Sequence, residues 1–328
     1  MNMRINKKLI ISAVCLISAI LLMFVFCCIL HCWEDDYKMK ICNAEEYSYI
    51  SYKGVKYEPK QYTESILIIG LDKFEEDKKS GELLNNQQSD FVMLVVFDKM
   101  DYTINVLHLN RDTMVSIDIL GKNSERIDTV YQQLALAHTY GTGGTDSCQN
   151  TVRTVSELLG DAPIEHYVAI TMDGVKTIND ILGGVPVEIT EDMTMIDPEF
   201  IEGETVTLKG DQALKYVRAR GGLEDSSNLS RMKRQKRYLE SAYEVAEQLM
   251  ETDNDLIMQI GKGVDQYVQS NTTINQLIYM MERFKNFEVK NFYTLEGENV
   301  KGEKYMEFYP DEDALKQTIL NLYYTPID

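Results

Sequence analysis

The hydrophobic pattern begins with one long apolar run near the N-terminus. Residues 9–31 are almost entirely apolar, and a helix of this length would measure about 34 Å, enough to cross a bilayer. Three cations precede the run and three acidic residues follow it, so the positive-inside rule predicts a cytoplasmic tail at 1–8 and a transmembrane helix at 9–31. A cleaved signal peptide is the alternative. The run lacks an Ala-x-Ala-like cleavage site, which favours an uncleaved anchor in the cell membrane.

Shorter apolar runs follow on the extracytoplasmic side. Residues 32–64 are polar and rich in tyrosine without a strong period, and we interpret them as a stalk. The runs at 65–72, 90–98 and 103–110 predict buried strands. Because only a short turn separates the last two runs, we expect them to form an antiparallel hairpin.

The rest of the chain alternates between strand and helix patterns. Further strands are predicted at 167–172, 185–189 and near 291–295. Helices are predicted at 128–139, at 146–159, between the strands at 167–172 and 185–189, from near Ser230 to about Met250, and at 255–269, 273–287 and 311–323. No internal repeat or low-complexity linker divides residues 65–328. We therefore predict an α/β fold, a single three-layer α/β/α domain with a central mixed sheet.

Composition indicates a globular protein and argues against disulfide and zinc sites. Hydrophobic residues make up 44% of the 328 residues, enough for a packed core, and the formal net charge is −19. Four of the six cysteines lie in or beside the predicted span, so the sequence predicts neither a disulfide scaffold nor a zinc site. Since the domain is expected outside the cytoplasm, we expect no nucleic-acid partner.

One segment departs sharply from this acidic composition. Residues 213–239 carry eight cations against two acids, which indicates an anion-binding site. A helix with Ser230 as its N-cap would place Arg231, Arg234 and Gln235 on one face, and Arg218 and Arg220 would alternate on a strand or turn. Cations are disfavoured at a helix N-terminus unless an anion such as phosphate is bound there. The alternative is a solvated basic helix face.

Polar residues at the ends of the predicted strands suggest what accompanies that anion. Asp72 ends the first apolar run, Asp90 begins the second, and Arg111 and Asp112 follow the third. Carboxylates beside arginines that face an anion are explained by a divalent metal between them, and Mg²⁺ combines a few carboxylates with phosphate oxygens. The pattern predicts a phosphoryl-transfer site. Each aspartate taken alone could instead cap a helix or turn.

The same residues carry a family resemblance. Nine segments, in this order, are similar to the pattern of the LytR-CpsA-Psr family: 68–72, 88–90, 109–113, 126–131, 151–160, 180–186, 208–214, 217–220 and 231–235. Each segment alone is weakly specific, whereas the ordered set is highly specific and covers about residues 65–250. The predicted anchor, orientation and stalk also resemble that family.

The resemblance implies a membrane-anchored phosphotransferase. Such enzymes move an anionic glycopolymer from an undecaprenyl-pyrophosphate carrier to peptidoglycan, where it is attached through a phosphodiester, and they hold the polyprenyl chain in an apolar tunnel beside the sheet. Carried over by position, Asp72 and Asp90 would bind Mg²⁺ (or Mn²⁺). The residues expected to contact the pyrophosphate are Arg111, Arg218, Arg220, Arg231 and Gln235.

Two departures from the family pattern keep alternatives open. Gln88 stands where the family usually has arginine, and Asn228 stands where it usually has aspartate. Asp112 either accepts the proton of the acceptor hydroxyl or orients Arg111. A pyrophosphatase that uses water, and a non-catalytic wall-binding or regulatory protein, are the alternative functions.

Overall fold

The computed structural model describes residues 49–74, 87–220 and 227–327. The predicted cytoplasmic tail and transmembrane helix lie outside these residues. Within the described ranges, no helix combines the length and hydropathy needed to cross a bilayer. The chain divides into two units, residues 1–59 with 326–328 and residues 60–325.

The described residues form strands, α-helices and two 3₁₀ helices. The strands are β1 (Ile50–Tyr52), β2 (Val55–Pro59), β3 (Thr63–Leu71), β4 (Phe91–Asp98), β5 (Thr103–Leu109), β6 (Met114–Leu120), β7 (Arg126–Gln133), β8 (His166–Thr171), β9 (Val185–Glu188), β10 (Thr205–Leu208), β11 (Val268–Ser270), β12 (Glu288–Thr294), β13 (Gly297–Lys301), β14 (Met306–Pro310) and β15 (Tyr324–Ile327). The helices are α1 (Gly144–Leu158), α2 (Met172–Ile181), α3 (Asp211–Arg218), α4 (Asn228–Met250), α5 (Leu256–Val264), α6 (Ile274–Phe284) and α7 (Glu312–Tyr323), and the 3₁₀ helices are Leu134–Leu136 and Asp265–Tyr267.

A six-stranded mixed sheet forms the centre of the unit at residues 60–325. Its strand order is β11-β8-β3-β4-β5-β12. β4 is antiparallel to β3 and β5, and β11 is antiparallel to β8, whereas the pairs β3–β8 and β5–β12 are parallel. The predicted strands at 65–72, 90–98, 103–110, 167–172 and near 291–295 all lie in this sheet, and the predicted hairpin is confirmed as β4–β5.

One face of the sheet packs against a continuous core. Leu67 of β3, Leu94 of β4 and Leu107 of β5 are fully buried on this face. Helices α1 and α7 and the strand β6 contribute buried side chains to the same cluster. Since successive residues of a strand point to opposite faces, the intervening residues face the other side.

The other face lines a cavity instead of a packed core. Phe91, Met93, Val95 and Phe97, which are alternate residues of β4, lie along an almost wholly apolar cavity of about 430 Å³. Helices α2, α4, α5 and α6 supply the opposite wall. Six strand steps of about 3.3 Å make the lined stretch of β4 roughly 20 Å long. We call this space the apolar cavity.

A second buried cluster holds helices α3 and α4 beside the small antiparallel sheet of β9 and β10. Val185 and Val187 of β9 and Leu208 of β10 share this cluster with Tyr216 of α3 and Tyr238 of α4. The predicted strand at 185–189 and the short helix before it are therefore confirmed. This packing fixes the end of α3 against the N-terminal half of α4, where most of the basic segment lies.

The predicted helix at 128–139 is wrong. Residues Arg126–Gln133 form β7, which pairs antiparallel with β6, and the 3₁₀ helix Leu134–Leu136 follows. Four of the eight residues of β7 are β-branched or aromatic, a composition that favours strands. Pairing with β6, a strand that the hydrophobic pattern did not predict, makes this segment a strand and not a helix.

Two other segments differ from expectation. Within the segment interpreted as a stalk, β1 and β2 form a hairpin, and Lys53 and Gly54 at its turn both have positive φ, as a tight hairpin turn requires. The predicted helix at 255–269 ends early, because Val268–Ser270 pair with β8 as the edge strand β11. The other predicted helices are confirmed as α1, α4, α6 and α7.

Adjacent valines of β4 provide a test of the apolar cavity. Val96 is fully buried in the packed core, whereas Val95 lines the cavity. We expect Val96→Ala to lower the free energy of unfolding by roughly 2 kcal/mol, because two methyl groups leave a filled site. Val95→Ala should cost clearly less, since its surroundings already contain space. Urea denaturation measures both, and equal losses would contradict an open cavity.

Candidate functional site

The residues predicted for the site meet at one edge of the central sheet. Asp72 directly follows the end of β3, and Asp90 directly precedes β4 and donates its backbone N–H to the carbonyl of Gly70 over 3.0 Å. Because β3 and β5 both run antiparallel to β4, their C-terminal ends lie beside its start. Arg111, two residues after β5, therefore reaches the same edge.

Arg111 lies at the centre of this edge. Its Nη1 forms an ion pair with Oδ1 of Asp90, and its Nη2 donates to Oε1 of Gln88 over 2.5 Å. Its Nε lies 3.6 Å from Oδ1 of Asp112. Three neighbours thus fix the plane of the guanidinium group, with one carboxylate on each side of it.

Two further arginines reach the same edge from the basic segment. Nη2 of Arg231, on α4, donates to the backbone oxygen of Asp90 over 3.1 Å and to Oδ1 of Asn228 over 2.5 Å. Arg220 donates to the same Asn228 oxygen over 3.5 Å. Asn228 in turn donates through Nδ2 to Oδ1 of Asn110 over 2.6 Å, which ties α4 to the end of β5.

Arg218 completes the set from a more exposed position. Its Nη2 lies 2.8 Å from Oδ1 of Asp72, and their side chains are 52% and 58% exposed. Each predicted metal ligand, Asp72 and Asp90, therefore holds an arginine. Among the described residues, no three His, Cys, Asp or Glu side chains are grouped as a metal site.

The crowding of positive charge shows in the pKa values of the arginines. Burial, together with the neighbouring Arg220 and Arg111, lowers the pKa of Arg231 to about 9. Burial also lowers the pKa of Arg111, against the opposing effect of Asp112. With a pKa of about 9, Arg231 remains charged at neutral pH. Within the part of the chain that the structure describes, no acceptor bonds the buried Nε of Arg111, Arg220, Arg231 or Arg234.

Asp112 occupies the inner side of this edge. Its Oδ1 accepts a hydrogen bond from Nε2 of Gln133 over 3.0 Å, and its backbone N–H donates to Asn110 over 2.9 Å. Burial raises the pKa of Asp112, although Arg111 and other arginines oppose the shift. A carboxyl with a raised pKa is a stronger base than an exposed one. Asp112 also lies where it can orient Arg111, so both expected roles are compatible with its contacts.

Two details of the basic segment differ from the sequence-based expectation. The N-cap of α4 is Ser227, whose hydroxyl accepts from the N–H of Ser230 over 3.2 Å. Ser230 therefore lies inside the helix, where its hydroxyl accepts from Arg234 over 2.8 Å. Arg218 is the last residue of helix α3 and does not lie on a strand or turn, because the buried face of α3 makes that segment helical. Arg220 lies two residues beyond the helix.

Arg234 is a structural residue of the segment. Only 2% of its side chain is exposed, and its Nη1 lies 2.5 Å from Oε1 of Glu191. Its Nη2 donates to the backbone oxygen of Ala219, beyond the end of α3. These contacts hold α3 and α4 together. Arg234, on the same helical face as Arg231, therefore stabilises the fold.

One end of the apolar cavity adjoins the arginines. Its lining includes Gly70, Phe91 and Val217, which lie within two residues of Asp72, Asp90 and Arg218. Gln235 also lines it and donates to the backbone oxygen of Val217 over 3.2 Å.

His108 is a buried strand histidine near this point. It lies on β5, with ring centroids 4.7 Å from Phe91 and 6.2 Å from Phe292. Burial lowers its pKa to about 3, and Arg231 contributes. His108 is therefore neutral at physiological pH, as expected for a histidine of the sheet.

Several residues of the site were not predicted from sequence. Asn110 and Gln133 hold Asn228 and Asp112 in place, yet an amide in a loop or strand carries no distinctive spacing. The residues of β4 that line the cavity could not be recognised either, because a strand buried on both faces has a continuous apolar sequence whether it faces a core or a cavity. The Ile and Val residues of the helical walls, at spacings of three and four, look like ordinary core positions.

The structural role of Arg234 can be separated from binding. We expect Arg234→Met to lower the free energy of unfolding by roughly 3 kcal/mol, because Glu191 and the Ala219 oxygen lose a buried partner. Lys233→Met, at an exposed position of the same helix, is the control and should change it by less than about 0.5 kcal/mol. Urea denaturation of the two variants decides the point. A stable Arg234→Met protein would show that the contact does not stabilise the fold.

One family of known proteins matches most of the chain. The model of the LytR_cpsA_psr family matches residues 35–322. The polyisoprenyl-teichoic acid–peptidoglycan teichoic acid transferase TagU of Halalkalibacterium halodurans is 32% identical over 235 residues, which cover 71% of this chain and 68% of TagU. The transferase TagT of Bacillus subtilis is 28% identical over 226 residues, covering 64% of each chain.

Solved structures share the fold. The crystal structure of B. subtilis TagT has a TM-score of 0.59 at 22% identity and covers 81% of this chain and 91% of that chain. The structure of TagT bound to LI-WTA has a TM-score of 0.60 at 23% identity, with coverages of 79% and 89%. The predicted α/β fold with a mixed central sheet is confirmed. The family model spans most of the chain, and the chain therefore belongs to the LytR-CpsA-Psr family.

Proposed function

We propose that this chain is a phosphotransferase that attaches an anionic glycopolymer to peptidoglycan, using a polyprenyl-pyrophosphate-linked polymer as donor. The observation that carries the proposal is the position of Arg111, Arg218, Arg220 and Arg231 at one end of the apolar cavity. A polyprenyl pyrophosphate has the complementary chemistry, an apolar chain joined to a doubly phosphorylated head. The names of TagU and TagT as teichoic acid transferases agree with this donor and acceptor.

The donor would be bound in two parts. The polyprenyl chain would lie in the apolar cavity along Phe91, Met93 and Val95, where burial of its methyl and methylene groups supplies affinity. The pyrophosphate would take hydrogen bonds from the arginines at that end of the cavity. Burial and neighbouring positive charge lower the pKa of Arg231, and a bound anion would offset both effects. Gln235, at the junction of both parts, would contact the phosphate nearest the lipid.

The reaction is a displacement at the phosphorus that carries the glycopolymer. A peptidoglycan hydroxyl oxygen forms a new bond to that phosphorus, and the bond between phosphorus and the bridging oxygen breaks. The bridging oxygen leaves with polyprenyl phosphate, and the hydroxyl proton passes to a base. Asp112 is our candidate for that base, because it is buried beside Arg111 and its pKa is raised. The arginines stabilise the charge that develops on the phosphoryl oxygens.

Asp72 and Asp90 fit a Mg²⁺ or Mn²⁺ ion. Both are carboxylates at one edge of the sheet, and Mg²⁺ is commonly held by one or two carboxylates plus substrate phosphate oxygens and water. Bound there with the substrate, the ion would neutralise phosphate charge and polarise the phosphoryl group. Arg218 and Arg111, which pair with these aspartates in the structure, would then be free to turn to the phosphates.

Membrane anchoring fits the lipid-linked donor. We propose that residues 9–31 anchor the chain in the cell membrane with the catalytic domain outside the cytoplasm. A polyprenyl chain resides in the same membrane. Anchoring would therefore keep the domain close to both its lipid-linked donor and the wall.

Loss of an arginine should abolish transfer. Full-length protein in detergent is given a lipid-linked glycopolymer and peptidoglycan, and wall-bound phosphodiester is measured. We expect Arg111→Ala and Arg218→Ala each to reduce the rate by about 100-fold or more, because a charge-stabilising donor is lost. Arg283→Ala, which removes a half-exposed side chain of α6 that pairs with Glu64, is the control and should keep the wild-type rate.

The products of this assay also distinguish the alternative functions. Free phosphorylated polymer in place of wall-bound polymer would identify a pyrophosphatase. Lipid binding without turnover would identify a binding protein. Wild-type transfer by Arg111→Ala or Arg218→Ala would overturn the proposed site.

Metal removal should stop the reaction reversibly. We expect a chelator to abolish transfer and added Mg²⁺ or Mn²⁺ to restore it. Asp72→Asn should raise the Mg²⁺ concentration for half-maximal rate, because one charged ligand is lost. Folding of the variant is checked by its thermal midpoint, since Asp72 is largely exposed. Full activity in the chelator would contradict the metal site.

A further inference from the structure

Two exposed tyrosines lie on hairpins beside the site, and the proposed binding of the donor does not use them. Tyr131 of β7 is 57% exposed and Tyr309 of β14 is 37% exposed. The hydrogen bond from its hydroxyl to Glu307, 2.8 Å long, raises the pKa of Tyr309, and Tyr131 adds a smaller contribution. β7 and β14 are neighbours, because Nε2 of Gln133 donates to the backbone oxygen of Met306, so the two phenol groups lie on adjacent strands.

These two strands are joined directly to Asp112. Nε2 of Gln133 donates both to Oδ1 of Asp112 over 3.0 Å and to the backbone oxygen of Met306 over 2.7 Å. The N–H of Phe308 donates to the backbone oxygen of Asp112 over 2.9 Å. β7 and β14 thus both reach Asp112. Tyr131 is two residues from Gln133, so both side chains project from the same face of β7.

The hairpins and the apolar cavity belong to opposite faces of the central sheet. Ile117 of β6 and Phe308 of β14 are buried in the same core cluster as Leu94 and Leu107. The cavity is lined by the other face of β4, including Met93 and Val95. The edge that carries Arg111 and Asp112 lies between these two sides.

We propose that Tyr131 and Tyr309 form a platform that binds sugar rings of the acceptor glycan strand of peptidoglycan. The C–H face of a pyranose ring packs on an aromatic ring, and the phenol hydroxyls offer hydrogen bonds to sugar hydroxyls and acetamido groups. The inference rests on the proposed function, because it names where the acceptor of that reaction binds.

The direction of the reaction assigns the platform to the acceptor and not to the donor glycan. In phosphoryl transfer the attacking and leaving oxygens lie roughly in line on opposite sides of phosphorus. Polyprenyl phosphate leaves towards the cavity face, so the acceptor hydroxyl approaches from the other face. The platform is on that other face, and Gln133 links it to Asp112, the candidate base.

The test measures acceptor and donor separately. Full-length protein in detergent transfers lipid-linked polymer to a soluble oligosaccharide of the peptidoglycan glycan strand, and KM is determined for each substrate. We expect Tyr131→Ala and Tyr309→Ala each to raise the acceptor KM roughly three- to tenfold, because each removes one contact between an aromatic ring and a sugar. The donor KM should stay unchanged. Tyr131→Phe, which keeps the ring, should lie near the wild-type value.

A tyrosine of α6 provides the matched control. Tyr279→Ala removes a side chain that is 68% exposed and should leave both KM values unchanged. A rise in donor KM instead of acceptor KM would assign the platform to the donor glycan and overturn the proposal. An unchanged acceptor KM in the Tyr131→Ala/Tyr309→Ala double variant would also overturn it.

Calorimetric titration of the same oligosaccharide separates failure of the platform from failure of the proposed function. Binding that weakens in the double variant supports the platform whether or not transfer occurs. Binding that is equal in wild type and double variant refutes it, even in an active transferase.

Discussion

The concentration of guanidinium groups at one edge of the sheet is the constraint on which the site depends. Like charges a few ångströms apart repel, and partial burial removes the water that would screen them. Asp90 offsets two of them at once, since it pairs with Arg111 and lies 3.6 Å from Nη1 of Arg231. Burial is the main cause of the lowered pKa values of both arginines, and the neighbouring Arg220 lowers both further, so the compensation of charge is partial. An anion supplied from outside the chain would complete it.

The apolar cavity imposes the second constraint. Protein interiors are normally packed to the density of organic crystals, and unfilled space forfeits dispersion energy. A space of about 430 Å³ remains between the sheet and the helices that line it. A Cβ on Gly261 of α5 would lie 2.4 Å from Ile278 of α6, and one on Gly263 would lie 2.8 Å from Ile181 of α2. The glycines let these helices pack on each other around the cavity.

Local patterns predicted the central strands because each combines a continuous apolar run with a polar residue at its end. The same patterns failed for residues 128–139, where the pairing of β7 with β6 outweighs helical spacing. This pairing is a non-local interaction that no window of the sequence contains. The error concealed the hairpin that carries Tyr131 and Gln133, and with it one side of the candidate site.

The charged residues of the site were easier to predict than its geometry. Arg111, Arg218 and Arg231 could be selected because they depart from an acidic composition and match an ordered set of motifs. Their meeting point depends on strand order, since Asp72 and Asp90 become neighbours only when β3 pairs with β4. The concentration of cations alone does not identify a binding residue. Arg234 lies on the same helix as Arg231, yet it is buried and pairs with Glu191.

Gln88 and Asn228 explain how this chain keeps the arrangement with fewer charges. Where the family pattern has an arginine and an aspartate, both residues here present an amide oxygen, to Arg111 and to Arg231, each over 2.5 Å. One cation and one anion are absent together, so the formal charge of the site is unchanged. Asn228 also donates to Asn110, which a carboxylate could not do. The neutral acceptors Gln88 and Asn228 therefore orient the arginines together with the carboxylates of Asp90 and Asp112.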